Sequence, residues 1–243
     1  MPVQSPSSFS LFVESLLRHG LRETLASIRD ERRYDREHGV STAGRVRVEE
    51  LGGLTKRQAF HSSEYQPVPV RLFGAAVATL PAESQNGLFV DLGCGKGRAL
   101  ILAAEHGYRR LVGVEQSAAL ARLAEQNVAA FAARRGLELD VRIAVGDAAD
   151  HRFAAEDSTV FLFHPFGRRV LRRVMRNLES SFAGDSRPPP WLTLVYVNPL
   201  HGGVVAEAGF LSEVAVGSTR VPGTLDWAVF ESAQPPSRGA CKK

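Results

Sequence analysis

Cysteine is nearly absent from this chain: there are two in 243 residues, Cys94 and Cys241. One lies inside a glycine-rich turn and the other near the C-terminus, so a disulfide framework is excluded, and two thiols cannot complete a four-ligand zinc cluster alone. A reducing, cytoplasmic setting is therefore expected. No apolar run approaches the roughly 20 residues that span a bilayer, so no membrane partner is expected. The opening "MPVQSPSSFSLFVESLL" lacks the basic start and long apolar stretch of a signal peptide. Charge of one sign is also lacking, with 30 Lys and Arg against 26 Asp and Glu, a net charge of +4. That balance does not by itself indicate nucleic acid, which is disfavoured as a partner. Internal repeats are missing, and the one biased tract, "RPPPW", reads as a rigid loop before a strand. What the chain does have is 44% hydrophobic residues, enough for a buried core in one domain with an N-terminal extension.

The most informative stretch is "LFVDLGCGKGRALILAAEHGYRRLVGVEQS", residues 88–117. A short apolar run ends in three alternate glycines, Gly93, Gly95 and Gly97, which permit positive φ and a close approach of ligand to main chain. "RALILAAEHG" follows as a helix of about three turns closed by Gly107. "RRLVGVEQS" is a buried-type strand that ends on Glu115. Strand, glycine turn, helix, strand and acid together form the first half of a nucleotide-binding α/β sheet, and a carboxylate at that position suits the two hydroxyls of a ribose. A dinucleotide fold wants G-x-G-x-x-G; counted from Gly93 the third position is Arg98, which disfavours a dehydrogenase. Lys96 sits in the turn without the Ser or Thr that a P-loop requires.

Along the rest of the chain, residues 9–39 carry Phe12, Leu16, Leu17, Leu21, Leu25 and Ile28 at helical steps. Residues 40–64 read as a polar connecting or lid-like segment. "YQPVPVRLFGAAVATLP" opens with helix-start prolines and an apolar stripe of Val70, Phe73, Val77 and Leu80. A long alanine-rich helix ends at Gly136, "ELDVRIAVG" alternates as a strand and delivers Asp147, and "STVFLFHPFG" and "WLTLVYVNP" are buried strands. "FLSEVAVG" and "LDWAVFES" form a closing antiparallel pair. Strands alternating with helices imply a parallel sheet with right-handed crossovers. The expected fold is α/β, Rossmann-like and doubly wound, with a mostly parallel seven-stranded sheet, an antiparallel C-terminal hairpin and an N-terminal helical extension. The expected division is 1–65 as helical extension or cover, 66–234 as the catalytic domain, and 235–243 as a disordered tail.

The motif "VDLGCGKG" resembles the first motif of class I S-adenosylmethionine-dependent methyltransferases. "YDREHGVSTAGRV", "SSEYQPVPVRLF", "HPFG" and "VYVNPLH" are similar to the corresponding segments of a bacterial group within that class, in which Asn-Pro-Phe follows the fourth strand; here His164 takes the first of those positions. "YQPVP" ahead of the glycine motif is also loosely similar to DOT1-like protein lysine methyltransferases. The resemblance implies S-adenosylmethionine as cofactor. Gly93, Gly95 and Gly97 would pass under its ribose and methionine portion, and Asp91 would pair with its ammonium. Glu115 would accept the ribose hydroxyls. Asp147 and Ala148 would meet the adenine edge, with an ordinary helix N-cap the competing role for Asp147.

Since the sulfonium is already activated, the protein needs to supply an in-line approach, dryness and, for some acceptors, a base. His164, ending the fourth strand, is the candidate base, against a turn histidine bonded to the backbone. Phe166 would face the sulfonium through its ring, and Tyr65 would close over cofactor or substrate, against ordinary packing. His201 would line the acceptor pocket, and His61 and His151 read as surface residues. Arg168, Arg169, Arg172, Arg173 and Arg176 oppose the apolar stripe Leu171, Val174, Met175 and Leu178, which reads first as a solvated helix face and second as a dock for an acidic partner. Asp147, Asp150 and His151 include no third carboxylate or amide ligand for Mg²⁺, so no metal is expected. Three functions compete: methyl transfer to an oxygen or nitrogen of a small molecule, the same chemistry on a protein lysine, and a module that binds S-adenosylmethionine without catalysis.

Overall fold

The strand that feeds the glycine turn is flanked on both sides by parallel partners, so its carboxyl end opens onto the middle of the sheet. In the computed structural model, which describes residues 28–44, 46, 65–163, 166–182, 190–218 and 226–232, β1 (Leu88–Leu92) pairs with β2 (Arg110–Glu115) and with β4 (Ser158–Phe163). β3 (Asp140–Val145) extends the sheet beyond β2, and β5 (Leu192–Val197) extends it beyond β4. β7 (Asp226–Ser232) runs antiparallel between β5 and the edge strand β6 (Leu211–Ser218), which gives the order β3-β2-β1-β4-β5-β7-β6. This is the expected seven-stranded sheet with its closing antiparallel pair. The chain reverses direction across the sheet between β1 and β4, and in such sheets the crevice at that switch point receives the ligand.

Successive strand residues point to opposite faces, and the two apolar clusters follow that alternation. Phe89, Phe161 and Val195 pack with α2 (Val70–Val77), α3 (Arg98–Glu105) and α4 (Ala118–Arg135). Val90, Val160 and Leu194 pack with α5 (Arg168–Phe182) and the short α6 (Gly202–Glu207). The helix boundaries have local causes. Ser117 caps α4 by accepting from the Leu120 amide, and Gly136, at φ 62°, ends it in the left-handed conformation that glycine takes without penalty.

Residues 28–38 form a helix, here α1, matching the C-terminal part of the predicted N-terminal periodicity; residues 9–27 lie outside the described residues, as do residues 233–243. Of the stripe predicted for the following helix, Phe73 and Val77 are buried while Val70 is 38% exposed, and Leu72 takes the inner position instead. The described part of the 40–64 segment packs on the body of the protein. Val46 forms an antiparallel bridge with Tyr65, and the Ser41 amide donates to the Asn127 carboxamide oxygen at 2.8 Å.

Candidate active site

β1 ends against a loop in which Gly93, Gly95 and Gly97 all hold positive φ, at 83°, 53° and 83°. A side chain at any of them would strain the backbone. The loop is tied to β2 at its start, where the amides of Gly93 and Cys94 both donate to the Val114 carbonyl, at 2.8 and 3.1 Å. It runs directly into α3, whose N-cap is Gly97. Gly97 also lets α4 come close, since a Cβ there would meet the Ala124 backbone at 3.2 Å.

Glu115, at the carboxyl end of β2, reaches back to this loop. One carboxylate oxygen accepts from the Gly95 amide at 2.9 Å and the other from the Ser117 amide at 2.8 Å. Burial pushes its pKa up, and the backbone amides pull in the opposite direction. The Gln116 amide adds a third backbone hydrogen bond to this carboxylate, which is thereby fixed in place beside the loop. Asp91, 3% exposed in β1, makes no hydrogen bond to another described side chain or amide. Burial first, then the negative charge of Glu115, pushes its carboxyl up to about 8. A buried carboxyl in that state would be stabilised by a cation arriving beside it.

The outer side of the loop is covered by residues on the N-terminal side of β1. The Tyr65 ring lies against Gly95, where a Cβ would come within 2.2 Å of its Cδ2–Cε2 side. Its hydroxyl donates to the Thr42 carbonyl at 2.6 Å, and burial raises it well above the ordinary tyrosine range. Lys96 donates from Nζ to the Ala43 carbonyl at 2.9 Å. The Asn127 amide donates to the Lys96 carbonyl at 2.9 Å. Arg98, at the position where a dinucleotide fold has its third glycine, is buried; it donates from Nη2 to Asp35 at 3.0 Å and from Nε to the Thr42 hydroxyl.

A parallel sheet with a glycine loop after β1 and a loop-bonded acid after β2 is the nucleotide-binding half of a known enzyme fold, and residues 89–181 match the family model described as a methyltransferase domain. The chain carries a methyltransferase domain. In fold the chain is similar to yhhF, an Escherichia coli protein described as a methyltransferase, with 16% identity over 78% of this chain and 98% of that one and a TM-score of 0.53. It is also similar to the magnesium protoporphyrin IX methyltransferase of Synechocystis, solved with SAH (S-adenosylhomocysteine) bound, at 16% identity over 68% and 83% of the two chains and a TM-score of 0.49. A third neighbour is an RNA methyltransferase from Salinibacter ruber in complex with S-adenosylhomocysteine, at 18% identity, 70% and 97% coverage and a TM-score of 0.45. At these identities the likeness is one of fold. No curated protein matches the chain in sequence.

Among the other predicted residues, Asp147 and Ala148 follow β3, Phe166 follows β4 and His201 follows β5. Asp147 caps a short turn, Ala148–Asp150, by accepting from the Ala149 amide at 2.9 Å. Ala148 and Phe166 are both buried in the cluster that also holds Leu92 and Val114, so Phe166 forms an apolar wall there. His164 lies outside the described residues, as do Pro165 and His61. His201 precedes α6 as its N-cap residue. His151, expected on the surface, is half-buried with its ring edge-on to Phe153.

The arginine face of α5 is largely engaged within the chain. Arg168 and Arg172 pair with Glu207, and Arg173 pairs with Asp147 and Asp150. Sequence reasoning missed Asp35, Thr42 and Asn127 entirely and saw Arg98 only as a missing glycine. The one signal was that Asp35 and Thr42 lie in "YDREHGVSTAGRV", a segment that carried the resemblance.

Proposed function

We propose that this methyltransferase transfers the methyl group of S-adenosylmethionine to an oxygen or nitrogen atom of a small molecule. The observation that supports the cofactor site is the Glu115 carboxylate, held at the end of β2 against the glycine loop by the Gly95 and Ser117 amides. The cofactor brings an already electrophilic methyl group, so the chain's own work is binding, orientation and proton transfer. In this reading Gly93, Gly95 and Gly97 let the main chain pass close under the ribose and methionine portion, and Asp91 takes up the ammonium. Asp147 and Ala148 border the adenine, and the Phe166 ring faces the sulfonium. His164 accepts the proton of the nucleophile, and Tyr65, with its hydroxyl committed to Thr42, covers the loop.

One observation favours a small acceptor over a protein. The arginines that a protein or phosphate partner would need are mostly paired within the chain.

The test is calorimetric titration of the wild type and Glu115→Ala with S-adenosylhomocysteine, S-adenosylmethionine and NAD. Micromolar binding of the two sulfur nucleosides, lost in the variant, is the expected result, and binding of NAD alone would sink the reading. Labelled S-adenosylmethionine offered with metabolite and protein fractions then decides the acceptor. Label in the metabolite fraction is expected; label confined to protein overturns the small-molecule assignment.

A further inference from the structure

The glycine loop is held from outside by a connected set of contacts that the cofactor does not require in order to be recognised. Asp35, near the end of α1, uses both carboxylate oxygens. Oδ1 accepts from Arg98 at 3.0 Å and from the Thr42 hydroxyl at 2.7 Å, and Oδ2 accepts from the Ala43 amide at 2.7 Å. Arg98 is the first residue after Gly97, and its guanidinium stacks 4.3 Å from the Tyr34 ring centre. The carbonyls that Asp35 thereby positions are the ones the loop's cover depends on: Thr42 receives the Tyr65 hydroxyl and Ala43 receives Lys96. Gly95 is thus pressed between the Tyr65 ring outside and the Glu115 carboxylate inside.

Three glycines in left-handed conformations have little preference of their own for that shape. The packing around them selects it, and a loop that visits the binding shape only part of the time loses affinity in proportion.

We propose that Asp35 is a positioning residue for cofactor binding. Through Arg98, Thr42 and Ala43 it seats residues 41–43 and Tyr65 on the glycine loop, so affinity for the cofactor is set in part by a segment outside the 89–181 domain match. The proposal rests on the cofactor reading above and deepens it.

The experiment compares S-adenosylhomocysteine affinity, melting temperature and amide hydrogen exchange over residues 93–98 in the wild type, Asp35→Asn, Thr42→Val and Glu105→Gln. Glu105 is the control. It lies at the far end of α3 and anchors the same helix α1 through Tyr34, at 3.0 Å, and His38, at 2.7 Å, without touching residues 41–43. Asp35→Asn and Thr42→Val are expected to weaken binding about tenfold and to speed exchange in the loop. Glu105→Gln is expected to lower the melting temperature with affinity unchanged. Should Asp35→Asn fail to fold, Thr42→Val decides, because it removes only a hydroxyl and keeps the carbonyl that Tyr65 uses. Variants that melt earlier but bind as tightly as wild type overturn the positioning role. A wild type that does not bind S-adenosylhomocysteine overturns the cofactor reading instead.

Discussion

The two corners of the ligand edge are fastened by ion pairs of opposite kinds. At the glycine loop the Arg98 side chain is 2% exposed and its Asp35 partner 12%, with the remaining Asp35 lone pairs bonded to Thr42 and Ala43. At the Asp147 turn, Arg173 is 38% exposed and its Asp150 partner 68%. Water screens the second pair and contributes little to the first. A buried, fully bonded pair fixes a geometry because losing either partner strands a charge, whereas an exposed pair contributes only marginally. The loop that must hold three glycines in left-handed conformations has the rigid fastening. The turn at the other corner already has its N-cap and relies on the weak one.

The comparison breaks most visibly at Arg98. Arg98→Ala leaves Asp35 buried without its cation and is expected to cost about 3–5 kcal/mol in urea unfolding; a loss no greater than that of an exposed arginine would remove the contrast. Two glycine substitutions sharpen it next. Gly95 and Gly136 both hold positive φ, but a Cβ meets the Tyr65 ring at 2.2 Å in the first and nothing within 4 Å in the second. Gly136→Ala should cost about 1 kcal/mol, and Gly95→Ala about 1–3 kcal/mol more from overpacking, both read by thermal melts. Equal losses would mean that Tyr65 yields easily.

A pH series tests the buried carboxyl behind the loop. Asp91 is raised to about 8 from a usual value near 3.9. The folded state therefore holds this proton while the unfolded state has lost it, and the contribution of Asp91 to stability declines as pH rises through that window. Binding of a cationic ammonium needs the ionised form, so affinity for S-adenosylhomocysteine should strengthen as pH rises toward 8. Asp91→Asn should bind weakly with a flat profile, and a sloping profile in the variant would assign the effect to another group. The smallest effect is at the other corner: Arg173→Ala should change stability by less than about 1 kcal/mol, and added salt should shrink the difference further.

The strand, loop, helix, strand and acid of residues 88–117 were legible because each signal is local. Alternate glycines, the helix-forming run closed by Gly107 and the apolar strand ending on Glu115 all lie within one supersecondary unit. The stripe Leu171, Val174, Met175 and Leu178 was legible for the same reason, since periodicity reports which face is buried. The contacts that complete the site were not. Asp35 and Arg98 are far apart in the chain, as are Tyr65 and Gly95, and no local pattern distinguishes a buried aspartate that accepts three hydrogen bonds from one on a solvated helix. Arg173 looked equivalent to its neighbours on the helix until the Asp147 turn was folded against it.

By itself, then, the sequence determined where strands and helices form, which faces they bury and that an acid ends the second strand, because propensity and hydrophobic period act over a few residues. Tertiary structure alone decided that β7 enters between β5 and β6, that residues 41–43 and Tyr65 cover the glycine loop, and that Arg98 fills the place of a third glycine with a buried ion pair. Those outcomes depend on which distant surfaces fit together at close packing, a property of the whole fold that no window of the chain contains.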